Sequence, residues 1–177
     1  MSVRKFENIA PRIAATAYVD ETALVIGDVS IAGDASLWPQ VVARGDVNSI
    51  EIGARTNIQD GSVLHVSHDS EFAPGGFALR IGADITVGHR AILHGCTIED
   101  RCLIGMAATV MDGAIVRTGA IVGAGSLVPP GRDLDGGYLW VGSPVRKVRP
   151  LSEKEAAFLE YSAAHYVELK NRHLAVR

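Results

Sequence analysis

The chain has 177 residues with 17 basic and 20 acidic side chains, a formal charge of −3, so polyanion binding is not its main function and no nucleic-acid partner is expected. Apolar residues make up 47% but aromatic ones only 6%, so the core must be built from Val, Ile, Leu and Ala, as in a β-rich or repetitive fold. No run approaches the roughly 20 apolar residues of a membrane span, positions 1–20 lack a signal-peptide core, and two cysteines are too few for a disulfide scaffold; the expectation is a cytoplasmic protein with no membrane partner.

From the N-terminus an apolar residue returns every six positions, at Ile13, Val19, Val25, Ile31, Leu37 and Ala43. A nine-residue step through Arg44-Gly45-Asp46 leads to Ile52, and Ile58 and Leu64 resume the spacing. Ser67 to Arg80, with Pro74-Gly75-Gly76, reads as a loop thrown out of the repeat. The repeat returns at Ile81, Val87 and Leu93, takes a five-residue step to Ile98, then runs through Ile104, Val110, Val116, Val122 and Val128. A spacing of six suits a short strand plus a tight turn, and three such units make a triangular coil of about 18 residues with its aliphatic side chains inside. Glycine directly after the aliphatic, as at Gly53 and Gly105, suits crowded corners. The predicted fold is an all-β solenoid, a left-handed parallel β-helix of hexapeptide repeats over 1–135, its coil stopping near Pro129-Pro130-Gly131. An extension over 136–177 carries a C-terminal α-helix packed on it. That helix opens with the capping box Ser152-Glu153-Lys154-Glu155 and turns Leu159, Ser162, Tyr166, Leu169 and His173 toward the β-helix, with Lys170 among the charges on its other sides.

Six histidines are present, and His65 and His94 each follow an inward leucine, so they occupy the same outward slot. Removing the loop leaves them one coil apart, stacked at about one strand spacing of 4.8 Å, which suits two ligands of one ion. His89 projects from an adjacent face; in a threefold oligomer that face can meet the next chain's His65 and His94. Three neutral imidazoles with an open position form a usual catalytic zinc set. The bland alternative is three separately hydrogen-bonded surface histidines, and hexapeptide acyltransferases use one histidine as a general base. Cys96 and Cys102 read as buried free thiols, a bridge between neighbouring hexads being the alternative.

The segments Arg44-Gly45-Asp46, Asn57 to His65 and Gly88 to Cys96, with Gly105-Met106, Asp112-Gly113-Ala114 and Gly142-Ser143-Pro144, resemble the gamma-class carbonic anhydrase family in its short bacterial form. The likeness covers nearly the whole chain. It implies a homotrimer with three zinc sites at its interfaces, His65 and His94 from one subunit and His89 from its neighbour. The implied activity is reversible hydration of carbon dioxide to bicarbonate by a zinc-bound hydroxide. Arg44 and Asp60 resemble a pair bridging subunits, with Asp46 beside Arg44; Gln59 and Asn57 resemble the groups that orient hydroxide and bicarbonate, and Tyr166 a tyrosine brought near the metal. Imidazoles serve iron and cobalt as well as zinc. Two departures stand out. Val47 replaces a glutamate beside the site, and Ser67-His68-Asp69-Ser70-Glu71 stands where an acidic proton-shuttling loop is expected. The departures keep two alternatives open: a low-activity metal-binding or scaffold trimer, and a hexapeptide-repeat acyltransferase.

Overall fold

The computed structural model describes residues 2–176. The strands stack in parallel, coil on coil, into one eight-stranded and one twelve-stranded sheet, which wrap three faces around a single apolar column. The first face carries Val19, Leu37, Ile58, Val87, Ile104 and Val122 inward; the second Val25, Ala43, Leu64, Leu93, Val110 and Val128; the third Ile31, Ile52, Ile81, Ile98 and Val116, all buried. Of the eighteen repeat positions only Ile13, on the first coil, is partly exposed. The pairing offset follows each irregularity of the repeat. Ser36 pairs Asn57 and Ala43 pairs Leu64 after the nine-residue step, Leu64 pairs Leu93 across the loop, and Ile81 pairs Ile98 across the five-residue step.

A second inward column of mostly small residues, Ala23, Ala35, Ala91, Ala108, Ala114 and Ala120, lies two positions before the aliphatic one and is fully buried. Stacked corners leave no room for side chains. A Cβ on Gly53 would lie 2.4 Å from the carbonyl carbon and oxygen of Gly82, and one on Gly105 2.4 Å from the Ala124 nitrogen.

The coil runs past the stop expected at Pro129-Pro130-Gly131. Asp133–Leu134 pairs with Ile115–Val116, Tyr138–Gly142 pairs with Ile121–Val122, and Leu134 and Trp140 extend the buried column at the same six-residue spacing. Both prolines sit where the backbone turns, so neither removes a ladder donor. Tyr138–Gly142 then pairs antiparallel with Val145–Pro150, which becomes the outermost strand of the eight-stranded sheet.

Helix α1 (Glu153–Ala175) starts at a complete capping box, Ser152 accepting from the Glu155 amide and Glu155 returning to the Ser152 backbone. Hydrogen bonds from Arg149, then those from Ser152, hold the Glu155 carboxyl at about 2. The helix lies on the first face against Ser36–Leu37 and Thr86–Val87. Leu159 and Ser162 are buried, and His173 reaches the rings of Trp38 at 5.1 Å and Tyr18 at 5.7 Å.

Lys170 departs from its expected place on an outer side of the helix. It is 2% exposed, and its Nζ donates to the Thr16 carbonyl at 2.8 Å and to Asp34 Oδ1 and Asn171 Oδ1 at 2.7 Å each. All three ammonium donors are satisfied, so the charge clamps the helix end to the first coil. Lys170→Met should cost about 2 kcal/mol, the value of hydrogen bonds to a charged group. Urea unfolding would measure it, and a loss under about 0.5 kcal/mol, a typical surface change, would show that the clamp is idle.

The cysteines are both free and buried, as expected. Burial pushes the Cys102 thiol up to about 12 and Cys96 higher still, so neither is a thiolate ligand or nucleophile.

Candidate metal centre

Strand alternation sends Leu64 and Leu93 into the core and their successors His65 and His94 outward from the second face. The two histidines pair directly in register, with ring centroids 5.0 Å apart. His65 Nδ1 and His94 Nε2 face each other at 3.0 Å. The far nitrogen of each ring is held by a carboxylate: His65 Nε2 lies 3.1 Å from Asp46 Oδ1, and His94 Nδ1 lies 2.5 Å from Asp112 Oδ1. Asp46 in turn takes Arg44 Nη1 at 2.5 Å. Burial pushes the Asp46 carboxyl up, but the hydrogen bonds from Arg44 and His65 and the Arg44 charge outweigh it, leaving the pKa below the usual carboxylate value. Burial draws the His65 pKa down, and Asp46 only partly opposes this.

These contacts decide what the gap between the rings can accept. A carboxylate only accepts, so the nitrogen facing it carries the ring proton and the other nitrogen carries the lone pair. Two neutral rings held this way turn two lone pairs toward each other, an arrangement that a cation between them relieves. The spacing suits one as well. A tetrahedral zinc ion with Zn–N distances of about 2.0–2.1 Å holds its nitrogens about 3.3 Å apart.

His89 sits in the corner turn after Thr86–Val87, and its Nδ1 lies 3.0 Å from Asp60 Oδ2 of the corner one coil earlier. All three expected ligands thus have a carboxylate behind one nitrogen, the backing that metal-binding histidines require. Among the described residues no three His, Cys, Asp or Glu side chains group around one point. One chain offers two converging imidazoles and, elsewhere, a third.

Asn57 and Gln59 lead into the Asp60 corner. Asn57 is fully buried and Gln59 6% exposed. Gln59 Nε2 donates to Asn57 Oδ1 at 3.1 Å, and Asn57 Nδ2 donates to the Ile85 carbonyl and to Thr86 Oγ1, which meets Ser162 Oγ of helix α1 at 2.8 Å. Tyr166, half-buried, packs edge-on to Trp38; burial first and the Asp60 charge next raise its pKa.

Residues 79–106 and 95–129 match the family model described as the hexapeptide repeat of succinyl-transferase. Protein YrdA of Escherichia coli (strain K12) is 52% identical over 172 residues, spanning 97% of this chain and 94% of its own. The mitochondrial gamma carbonic anhydrase 1 of Arabidopsis thaliana is 43% identical across 94% of this chain and 60% of its own, and the probable carbonic anhydrase of Methanocaldococcus jannaschii 44% identical across 83% and 88%. The chain belongs to the gamma carbonic anhydrase family. A Bacillus cereus structure titled a putative acetyltransferase superposes with a TM-score of 0.93 at 33% identity, covering 99% of this chain and 98% of that one. The gamma carbonic anhydrase fold is therefore shared with a protein titled for acyl transfer.

Within the chain, Arg44 bonds Asp46 and Asp60 bonds His89, and the expected Arg44–Asp60 contact is not formed. Val47 is 46% exposed next to Asp46, and His68 is exposed on the loop. Asp112 and Ser67 were not singled out from the sequence as site residues, yet Ser67 Oγ donates to Asp112 Oδ2 at 2.8 Å behind His94. Asp112 lies eighteen positions after His94, and only the coil stack brings it there. A shallow groove of about 670 Å³ between Arg12, Glu51 and Gly82 touches none of the three histidines. No helix among the described residues is long and apolar enough to cross a membrane.

Proposed function

We propose that this protein is a cytoplasmic, homotrimeric, metal-dependent carbonic anhydrase that interconverts carbon dioxide and bicarbonate at its subunit boundaries. The observation that carries the reading is the opposed pair His65 and His94, their facing nitrogens 3.0 Å apart and each ring held from behind by a carboxylate. His89 of a neighbouring subunit supplies the third imidazole. The second face supports the packing: Val63 (39% exposed) and Ile92 (43%) pair one position before the two histidines, and Met111 (38%) follows Val110 in the next coil as His94 follows Leu93, an uncovered apolar patch around the site. Covering it would also exclude water from the site.

Zinc, when bound, would supply a nucleophile at neutral pH by lowering the pKa of a water molecule. The protein's own part is orientation. The Asn57–Thr86–Ser162 chain fixes the Gln59 amide through its nitrogen and leaves its carbonyl oxygen to accept a hydrogen bond from the reacting hydroxyl. Arg44 keeps Asp46 ionised, and Asp46 keeps His65 in the tautomer a metal needs. With Val47 in place of an acid beside the site, no carboxylate stands there to take up the proton released in each cycle, which favours slow turnover.

The Bacillus cereus relative favours acyl transfer as a second reading. Under it one histidine acts as general base and no metal is needed.

The experiment is metal content per chain on protein purified without chelator, with the oligomeric mass, for the wild type and His89→Ala. About one metal per chain in a trimer, lost in the variant and accompanied by hydration activity, is the expected result. A wild type that takes up neither zinc nor, under anaerobic conditions, iron(II) overturns the reading, and acetyl-CoA turnover in that protein would establish the second.

A further inference from the structure

We propose that Asp112 is the positioning residue for His94, and that Gly95 and Ser67 are present to hold it in that role. The proposal rests on reading His94 as a metal ligand. Asp112 Oδ1 meets His94 Nδ1 at 2.5 Å and fixes the proton on Nδ1, so Nε2 presents its lone pair toward His65. A free imidazole would spread over both tautomers and could turn about its χ2 torsion.

The backbone around the contact is shaped to admit it. Gly95 follows His94 directly at φ 53°, a conformation that favours glycine. A Cβ there would lie 2.4 Å from Asp112 Oδ1 and 2.6 Å from the Phe77 Cβ, so a side chain would push the carboxylate off the ring. The five-residue step falls at this point. It turns the chain early, and the corner is tied by Gly95 N to the His65 carbonyl at 3.0 Å and by Gly113 N to the Gly95 carbonyl at 2.8 Å.

The second oxygen of Asp112 is also taken, by Ser67 Oγ at 2.8 Å, so the carboxylate cannot rotate away. Ser67 is itself anchored: its carbonyl accepts from Asn48 Nδ2 at 3.1 Å, and its backbone pairs with Phe77. The loop after Ser67, which ends where the strand Leu79–Ile81 begins, thus reaches the site through one hydroxyl. His65 is braced by Asp46 and Arg44 from the coil before it, and His94 by Asp112 from the coil after it, with Ser67 of the preceding loop holding that carboxylate.

Two readouts test this on the full-length oligomer: zinc affinity by chelator competition, and the His94 tautomer by histidine-selective nitrogen NMR of the metal-free protein. Asp112→Ala should weaken zinc about ten- to a hundredfold, the usual cost of losing such a partner, and convert His94 from the Nδ1–H form to a mixture. Asp112→Asn keeps both contacts, since its carbonyl accepts from Nδ1–H and its NH₂ donates to Ser67, and should stay within about tenfold of the wild type. Ser67→Ala should give a smaller loss in the same direction, and it carries the test if Asp112→Ala does not fold. Unchanged zinc affinity and unchanged His94 tautomer in Asp112→Ala, with only the melting temperature lowered, overturns the proposal. A wild type that binds no zinc while the tautomer still responds to Asp112→Ala sinks the metal reading and leaves the positioning role standing.

Discussion

Co-expression of His89→Ala and His94→Ala chains is expected to restore about a quarter of the wild-type metal content and hydration activity, although neither variant alone retains either. Each lost imidazole is one of only three, so each single variant should bind metal at least about a hundredfold more weakly, exceeding the loss of a supporting contact. In a ring, every boundary joins one surface of a chain to a different surface of the next. A boundary is intact when its His65–His94 side comes from the His89→Ala chain and its His89 side from the His94→Ala chain. Random mixing gives that combination at about one boundary in four. Native mass spectrometry would verify mixed trimers, and inductively coupled plasma analysis would count the metal. Verified mixed trimers with no recovery would mean that His89 and His94 do not meet across a boundary. Full retention of metal by His89→Ala alone would remove His89 from the site.

A second large effect is expected from a single methyl group. Gly105→Ala should cost about 3 kcal/mol, because its Cβ would meet the Ala124 nitrogen at 2.4 Å and the Gly123 carbonyl carbon at 2.6 Å, and both are backbone of the next coil. Coils can relieve this only by separating, which lengthens every ladder hydrogen bond on that side. At this chain length the loss corresponds to about 6–12 °C in melting temperature. Gly125→Ala is the control. Gly125 has φ 66° with nothing within 4 Å of the added carbon, so only the left-handed backbone is penalised, by about 1 kcal/mol. Thermal melts of the two variants should therefore differ several-fold in shift. Equal shifts would show that the coils give way without cost.

The six-residue spacing made most of this fold legible because each aliphatic reports one side of one coil. Even the irregular steps carried information: the nine-residue step, the loop and the five-residue step each reappear as a changed pairing offset, and the stacking of His65 on His94 follows from them. The sequence was silent where a contact depends on a long side chain crossing between coils. Asp112 stood out only within the segment Asp112-Gly113-Ala114, with nothing to tie it to a histidine, and only the space left by Gly95 lets it reach His94. Its trace was the glycine and the short step together, immediately after the histidine. Lys170 was misplaced for a related reason. Helical periodicity separates one side of a helix from another, but the acceptors that bury this ammonium, Thr16 O and Asp34 Oδ1, belong to corners of the first coils. The prolines misled because within a hexad they fall at turns, where a missing amide hydrogen costs nothing.

The antiparallel pairing of Tyr138–Gly142 with Val145–Pro150 bears on whether the first face of the stack can be continued by another chain. A parallel solenoid ends in a row of open amides and carbonyls, a template on which another chain could continue the ladder. Here the last strand of the eight-stranded sheet runs backward, carries exposed Arg146, Lys147 and Arg149, and finishes in Pro150, which has no amide to offer. An incoming chain in coil register would meet the wrong strand direction and a positive rim on this face, so the hairpin closes the eight-stranded sheet, whereas the other two faces end in the parallel strands Leu127–Val128 and Asp133–Leu134.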